Sequence, residues 1–267
     1  MQKIIIQNWT AGQLRTAAGS LATARRTRTP IAPLREQGLA RIEDAYAIQK
    51  INTDAWKAEG RTSTGAKIGL TSRAVQAQLG VSEPDFGLLW SDLAFNAGDD
   101  ISLEHFMQPK AEAEIAFVLE RDLTSPALTL KDAISAVAYV LPAVEIVDSA
   151  IADWNIALVD TVADNASSGG YVLGDSPRLL RQIDLRTCGM LLSRAGDLVS
   201  HGVGAACMGN PLNALLWLAK KMVETETPLR AGDLVLSGAL GPMVAVASSE
   251  HYLVEIQGFQ PFSFTFR

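Results

Sequence analysis

The apolar pattern changes period near residue 100, and that change limits the possible folds more than any other feature of the chain. Before it, the spacing predicts helices. Thr10 caps a helix through about Arg26, which the segment TPIAPL breaks. A second helix starts near Ile42, with Glu43 and Asp44 in a first turn whose dipole favours acids. Ala45, Ile48, Ile51 and Ala55 form its apolar stripe, and Gly60 ends it. Residues 64–70 read as a short strand. Ser72 caps a third helix through about Leu79, and VSEPDFGLLW reads as a loop punctuated by Pro84 and Gly87. Beyond residue 100 the texture becomes that of strands, over 110–119, 139–147, 171–173, 190–193, 198–200, 234–237, 243–246, 252–256 and 262–266. Ala195-Gly196-Asp197 turns one pair into a hairpin. Only two helices interrupt the series, over 130–138 and 211–223, the latter with Asn210 as cap and Pro211 in its first turn. Strands and helices do not alternate, which excludes a doubly wound sheet and a TIM barrel. The expectation is an α+β chain, with an N-terminal helical region over 1–95 packed on a β-rich core over 96–267.

Composition removes several function classes. The formal net charge is −6, and the one basic cluster, Arg25, Arg26 and Arg28, is short and has no aromatic partners. It reads as a solvated helix end, not a nucleic-acid footprint. The longest stretch free of Asp, Glu, Lys and Arg, 198–219, contains Gly202, Gly204, Gly209 and Pro211, so it cannot be a lipid-facing helix. The N-terminal apolar run is too short for a signal-peptide core, which points to the cytoplasm. Cys188 and Cys207 fit neither a disulfide framework nor a metal knuckle and read as buried thiols. His105, His201 and His251 are dispersed among loop and surface signals and supply no ligand set.

The segment QPKAEAEIAFVLE, residues 108–120, carries the chemistry. As a strand it places Lys110, Glu112, Glu114, Ala116 and Val118 on one face and Ala111, Ala113, Ile115, Phe117 and Leu119 on the other. Glu112 and Glu114 then stand roughly 7 Å apart along the strand, close enough for flexible side chains to share one cation. The pattern alone more often describes a solvent-facing edge strand with two unremarkable acids. Glu145 shifts the balance, because it interrupts the apolar run AVAYVLPAVEIV, where a carboxylate is costly unless paired or bound to metal. Glu112, Glu114 and Glu145 would form an all-oxygen site suited to Mg²⁺ or Mn²⁺ rather than Zn²⁺. In VDTVADNASSGGYVLG, residues 159–174, Asp164, Asn165 and Ser167 offer short polar groups to a ligand carboxylate, or simply cap a turn. Lys67 falls in a short apolar strand, facing inward or snorkelling, and Asp85 falls in the Pro-Gly loop.

Together these segments resemble the hydratase/decarboxylase branch of the fumarylacetoacetate hydrolase superfamily. The matching stretches are KIGLTSRAVQAQLGVSEPDFGLL, QPKAEAEIAFVL, PAVEIVDSAIADW, DTVADNASSGGYVLG, NPLNALLWLAKKM and GDLVLSGALGPMVAV, in order over about residues 66–247. The resemblance implies a mixed β-roll with an N-terminal helical region and a divalent ion, Mg²⁺ or Mn²⁺, held by Glu112, Glu114 and Glu145. It implies Lys67 and Asp85 as catalytic residues and Ser167, with Asp164 and Asn165, around the substrate carboxylate. The implied reaction is addition of water to 2-hydroxypenta-2,4-dienoate or a short homologue, a 2-oxo/2-hydroxy dienoate, in aromatic meta-cleavage catabolism. The alternatives are 4-oxalocrotonate decarboxylation, hydration of 2-oxohept-4-ene-1,7-dioate with Arg73 as the extra cation, and a non-catalytic partner subunit. Asn210 departs from the Gly-His-Pro common among relatives and leaves the substrate open. The resemblance also implies a homo-oligomer, pentamer or decamer, for which Trp154 and Ile156 are candidate contacts, unless they are core.

Overall fold

The computed structural model describes residues 8–73, 76–77 and 81–267. Helix α1 (Ala11–Thr27) opens with a reciprocal cap, Thr10 Oγ1 accepting from Gln13 N–H at 3.3 Å while Gln13 Oε1 accepts from Thr10 N–H at 2.9 Å. Helix α2 (Ile42–Ala58) lays Ala45 and Ile48 against Ala17, Ala18, Leu21 and Ala24 of α1. Val162 and Ala163 of a short helix, α3 (Leu158–Ala163), close this small N-terminal core.

The strands form two sheets. Strands β1 (Ser63–Gly69), β2 (Asp85–Trp90), β3 (Ala94–Asn96), β4 (Lys110–Leu119), β5 (Val137–Val147), β6 (Ser168–Leu173) and β7 (Leu234–Leu236) run in the order β2-β1-β7-β4-β5-β6-β3, with Val244–Ala245 added beside β4. The second sheet contains Asp100–Ile101, Phe262–Phe266, Glu250–Ile256, Gly189–Arg194 and Asp197–Val203, in that spatial order. Parallel and antiparallel pairs coexist, β1 running parallel to β7 and antiparallel to β2. The main core lies between the sheets, where Ile115 and Phe117 of β4 meet Tyr252, Phe264, Phe266 and the apolar stripe Leu215, Leu218, Met222 of the helix Pro211–Glu224.

The larger sheet curls into a roll. Lys67 on β1 and Glu145 on β5 are three strands apart, about 14 Å in a flat sheet. Their charged ends meet at 3.0 Å. Across the same interior, Tyr171 Oη on β6 donates to Thr64 Oγ1 on β1 at 3.0 Å. Asn165 ties the loop before β6 to β2, its Nδ2 donating to Leu88 O at 2.9 Å and its Oδ1 accepting from Leu88 N–H at 2.8 Å.

The α+β β-roll with its N-terminal helical region is the architecture expected from sequence. Three details differ. Residues 63–96 contribute three strands to the roll, so a division at residue 95 cuts through the sheet, and the N-terminal pair of helices ends at Ala58. The segment VSEPDFGLLW holds β2 rather than a loop. Pro84 precedes the strand, and Gly87 sits inside it because a Cβ there would lie 2.1 Å from Asn165 O. The helix expected over 72–79 lies partly outside the described residues; Arg73, Gln76 and Ala77 are helical. Among the described residues no helix is long and apolar enough to cross a membrane.

Candidate metal centre and active site

Strand register builds the site. Glu112 on β4 stands directly opposite Glu145 on β5, and Glu114 stands two residues further on, opposite Ala143. The alternation of β4 puts both glutamates on the inner face of the roll. One carboxylate oxygen from each of Glu112, Glu114 and Glu145 lies within 4.8 Å of the others. Glu114 and Glu145 are fully buried, and Glu112 is half-buried. The strand is therefore not a solvated edge, since β4 sits in the middle of the sheet and Glu114 is fully buried.

Lys67, 3% exposed, reaches this cluster from β1, and Asp85, 2% exposed, stands at the start of β2 opposite Gly69. Gly69 is needed there. A Cβ at that position would lie 2.2 Å from Asp85 Oδ1 and 3.5 Å from Lys67 Nζ. Ser167 Oγ lies 3.3 Å from Thr161 Oγ1, which in turn lies 3.5 Å from Asp85 Oδ2. Asn165, Ala166 and Ser167 all have left-handed backbones, with φ of 56°, 51° and 52°. Such a run is rare in L-residues and persists only where its surroundings enforce it.

The cluster is short of positive charge. Four carboxyls, Glu112, Glu114, Glu145 and Asp85, face the one ammonium of Lys67. Burial, then repulsion from Glu145, pushes the Glu112 carboxyl up to about 7. Burial raises Glu114 well above the usual carboxylate range, with Glu145 and Glu112 adding to it. Burial also raises Glu145 and Asp85, against the pull of Lys67. Burial alone would discharge Lys67, but the attraction of Glu145, Asp85 and Glu112 outweighs it and holds the ammonium charged. Among the described residues several oxygens have no donor: Glu114 Oε1, Asp85 Oδ1 and both oxygens of Glu145, whose contact with Lys67 is close but poorly directed for a hydrogen bond. Glu114 Oε2 accepts from Gly238 N–H at 2.8 Å. Buried carboxylate oxygens without donors fit a hard divalent cation.

The other sequence candidates are placed differently. Asp164 Oδ1 accepts from the Arg25 guanidinium at 2.7 Å and its Oδ2 from Ala150 N–H at 2.8 Å. The Asn165 side chain is committed to Leu88. Both therefore shape the loop that presents Ser167. Arg25 corrects the reading of its cluster as a solvated helix end: its guanidinium also donates to Asp148 O at 3.2 Å. The signal was its spacing, one turn beyond Leu21 and two beyond Ala18, on the buried stripe of α1. Thr161 and the Gly238 amide were missed, since neither residue type stands out in sequence. His105, His201 and His251 are exposed, Cys188 and Cys207 are free and buried, and Asn210 caps the helix Pro211–Glu224 through Leu212 N–H at 3.0 Å. Trp154 finds its partner within the chain, with Lys110 Nζ 4.1 Å from its ring centroid, and Ile156 packs on the N-terminal core.

A curled mixed sheet around a buried three-carboxylate centre defines the class. The chain belongs to the fumarylacetoacetate hydrolase family: the family description "Fumarylacetoacetate (FAA) hydrolase C-terminal" matches residues 60–267. Within it, 2-keto-4-pentenoate hydratase 2 of Dechloromonas aromatica is 55% identical over 243 residues, 91% of this chain and 93% of the relative. A 2-hydroxypent-2,4-dienoate hydratase of Pseudomonas putida is 46% identical over 197 residues, 73% of this chain and 89% of the relative. Among solved structures, 4-oxalocrotonate decarboxylase of Pseudomonas putida, complexed with magnesium and adipate, superposes with a TM-score of 0.94. It is 32% identical, and the match covers 98% of this chain and 100% of that one.

Proposed function

We propose that the chain is a divalent-metal-dependent hydratase that adds water to 2-hydroxypenta-2,4-dienoate or a short homologue, giving a 4-hydroxy-2-oxo acid. The observation that carries this reading is the meeting of three carboxylates around donor-free buried oxygens, beside one lysine and one aspartate. The hydratase relatives at 55% and 46% identity favour hydration over decarboxylation, whose representative is 32% identical.

Glu112, Glu114 and Glu145 would hold Mg²⁺ or Mn²⁺, whose all-oxygen preference matches this donor set. When bound, the ion supplies Lewis-acid stabilisation of the negative charge that develops at the substrate 2-oxygen. The chain's own residues orient the substrate and move protons. Ser167, presented by its left-handed turn, offers a neutral hydroxyl to the substrate carboxylate. The dienol first loses its 2-hydroxyl proton and gains one at C5, giving the 2-oxo-3-enoate. Water then adds its oxygen to C4, and a proton arrives at C3. Asp85, with Oδ1 free and its carboxyl raised by burial, is suited to take and return these protons. Lys67 keeps its ammonium against the oxygen end of the cluster and balances charge there.

We also propose a homo-oligomer, a pentamer or decamer. The outer face of the second sheet leaves Leu191, Leu198, Val203 and Leu253 exposed, a concentration of apolar surface that suits burial against another copy. Sedimentation at micromolar concentration should show an assembly; a monomer would refute it.

The reaction is tested by following loss of freshly generated 2-hydroxypenta-2,4-dienoate and weighing the product. A gain of one water supports the hydratase. Release of CO₂ from 4-oxalocrotonate, without hydration of the monoacid dienol, would make the chain a decarboxylase.

A further inference from the structure

The interior of the roll is closed on most sides, and burial along β4 shows where it opens. Lys67, Asp85, Glu114 and Glu145 are all buried. Along the inner face of β4, Glu114 is buried, Glu112 is half-buried and Lys110 is half-buried. Solvent therefore reaches the carboxylates from the Lys110 end. Lys110 stands opposite Val147 on one side and Ala245 on the other, so an ammonium occupies the rim of an opening otherwise flanked by apolar residues.

That ammonium is held in place by a built support. Its Nζ lies 4.1 Å from the centroid of the Trp154 ring, a cation–π contact. Trp154 Nε1–H donates to Gln108 O at 3.0 Å. Asp153 and Trp154 both have left-handed backbones, with φ of 56° and 55°, a conformation that L-residues adopt rarely. Gln108 maintains it: its Oε1 accepts from Asp153 N–H at 2.9 Å, and its Nε2 donates to Ser149 O at 2.9 Å and Ile151 O at 2.8 Å. Strained backbone of this kind persists where the surroundings over-determine it, and it concentrates at functional sites. Here the strained pair serves to lay an aromatic face under the Lys110 ammonium.

We propose that Lys110, parked on Trp154, captures the anionic substrate at the mouth of the site and passes its carboxylate inward to the metal centre and Ser167. The inference rests on the proposed function, in which the substrate is a carboxylate anion. The chain carries a net charge of −6, and the interior holds four carboxyls, so without a local cation the field at the entrance opposes an anion. Among the described residues, the other charged groups at this rim are Glu112, next along the strand, the exposed Asp153, and Arg194, whose guanidinium donates to Ala245 O at 3.2 Å. Lys110 is the cation on the carboxylate-bearing face of β4, whereas the Arg194 guanidinium lies on the Ala245 carbonyl. The cation–π contact holds the ammonium without neutralising it, as a carboxylate partner would, so the charge stays available to a ligand.

The test combines kinetics with a binding measurement that needs no turnover. For the wild type, kcat/KM for the dienoate should fall as salt rises from about 10 to about 300 mM, the range over which screening shortens from long to short reach. Lys110→Met should lower kcat/KM at low salt by roughly tenfold, leave kcat within about twofold and flatten the salt dependence. Lys110→Arg should restore both. Trp154→Leu should keep the salt dependence and raise KM. Calorimetric titration of the magnesium-loaded protein with oxalate, a small 2-oxo carboxylate mimic, should show weaker oxalate binding in Lys110→Met. Magnesium itself should bind that variant at least as tightly, because a nearby cation has gone. Unchanged kcat/KM and salt dependence in Lys110→Met would overturn the proposal, as would parallel weakening of magnesium and oxalate. A wild type that binds magnesium and oxalate yet does not consume the dienol would sink the hydratase reading instead, and the oxalate titration would still decide the role of Lys110.

Discussion

At one end of the roll's interior, Leu89, Ala116, Ala143, Tyr171, Leu234 and Leu236 pack on one another; at the other, Glu112, Glu114, Glu145, Lys67 and Asp85 crowd together. The same strands supply both ends. Ala116 follows Glu114 by two residues on β4, Ala143 precedes Glu145 by two on β5, and Tyr171 stands opposite Glu145. The boundary is thus one pleat wide. Apolar burial stabilises the first end at about 25 cal/mol per Å² removed from water. The second end costs free energy, because carboxylates are desolvated against one another with donors missing. The apolar end, together with the main core outside β4, fixes the strands so that the charged end cannot relax by separating. This is the familiar exchange of stability for a prepared site, confined here to alternate residues of single strands.

The largest expected effects come from neutralising the charged end. Glu114→Gln and Glu145→Gln should each abolish magnesium binding in calorimetry and lower dienol turnover by more than about a hundredfold. Their effects on the ion-free melting temperature should have opposite signs. Glu114→Gln removes repulsion and can still accept from the Gly238 amide, so the protein should melt higher. Glu145→Gln leaves Lys67 buried without its ion-pair partner, so the protein should melt lower. Equal shifts in both variants would mean that the cluster is not organised around the Lys67–Glu145 pair.

Leu89→Ala probes the apolar end. It should cost about 2–5 kcal/mol in urea unfolding and leave magnesium affinity unchanged. Loss of magnesium affinity in that variant would show that the two ends are not separable. Next in size, Lys67→Ala and Asp85→Asn should fold, bind metal and lose at least about a hundredfold in rate, the scale of acid/base help. Gly69→Ala sharpens the second assignment. Its Cβ would displace Asp85 Oδ1 without touching Glu112, Glu114 or Glu145, so kcat should fall with magnesium affinity intact.

Where the chain's chemistry was written in period and residue type, it was legible. The E-x-E alternation of β4 and the lone Glu145 in an apolar run pointed to each other across about thirty residues, because an apolar strand tolerates a carboxylate only with a reason. The absence of strand–helix alternation fixed the class. What stayed hidden depended on curvature. No local pattern says that β1 and β5, three strands apart, curl until Lys67 meets Glu145. In the sequence Asp85 reads as a loop residue because Pro84 and Gly87 look like punctuation, whereas Gly87 answers to the close approach of Asn165. Asp164 and Asn165 looked like ligand groups because short polar side chains serve turns and ligands alike. Only the partners Arg25, Ala150 and Leu88 distinguish the two uses.

The smallest effect separates the two ends by pH. In the ion-free protein Glu112 titrates at about 7, raised from an ordinary value of 4.5 chiefly by burial and then by Glu145. A carboxyl whose folded pKa is raised binds its proton more tightly in the folded state. Its contribution favours folding fully below about 4.5, and it is lost as pH rises through about 7, because the unfolded chain has by then released the proton at no cost. Chelated protein should therefore melt progressively lower between about pH 5 and pH 8. Magnesium binds the ionised carboxylates, so saturating magnesium should hold the melting temperature level or raise it over the same window. Surface carboxyls such as Asp122, held below its usual range by the Ala231 amide and Arg230, act in a lower window, below about pH 4, with the opposite sign. The apolar end has nothing that titrates between pH 5 and pH 8, since burial raises its Tyr171 phenol above an ordinary value of 10, so Leu89→Ala should lower the whole curve without changing its slope. A chelated wild type that melts higher as pH rises from 5 to 8 would show that Glu112 is not held against its neighbours, and would remove the charge shortage on which the metal centre is argued.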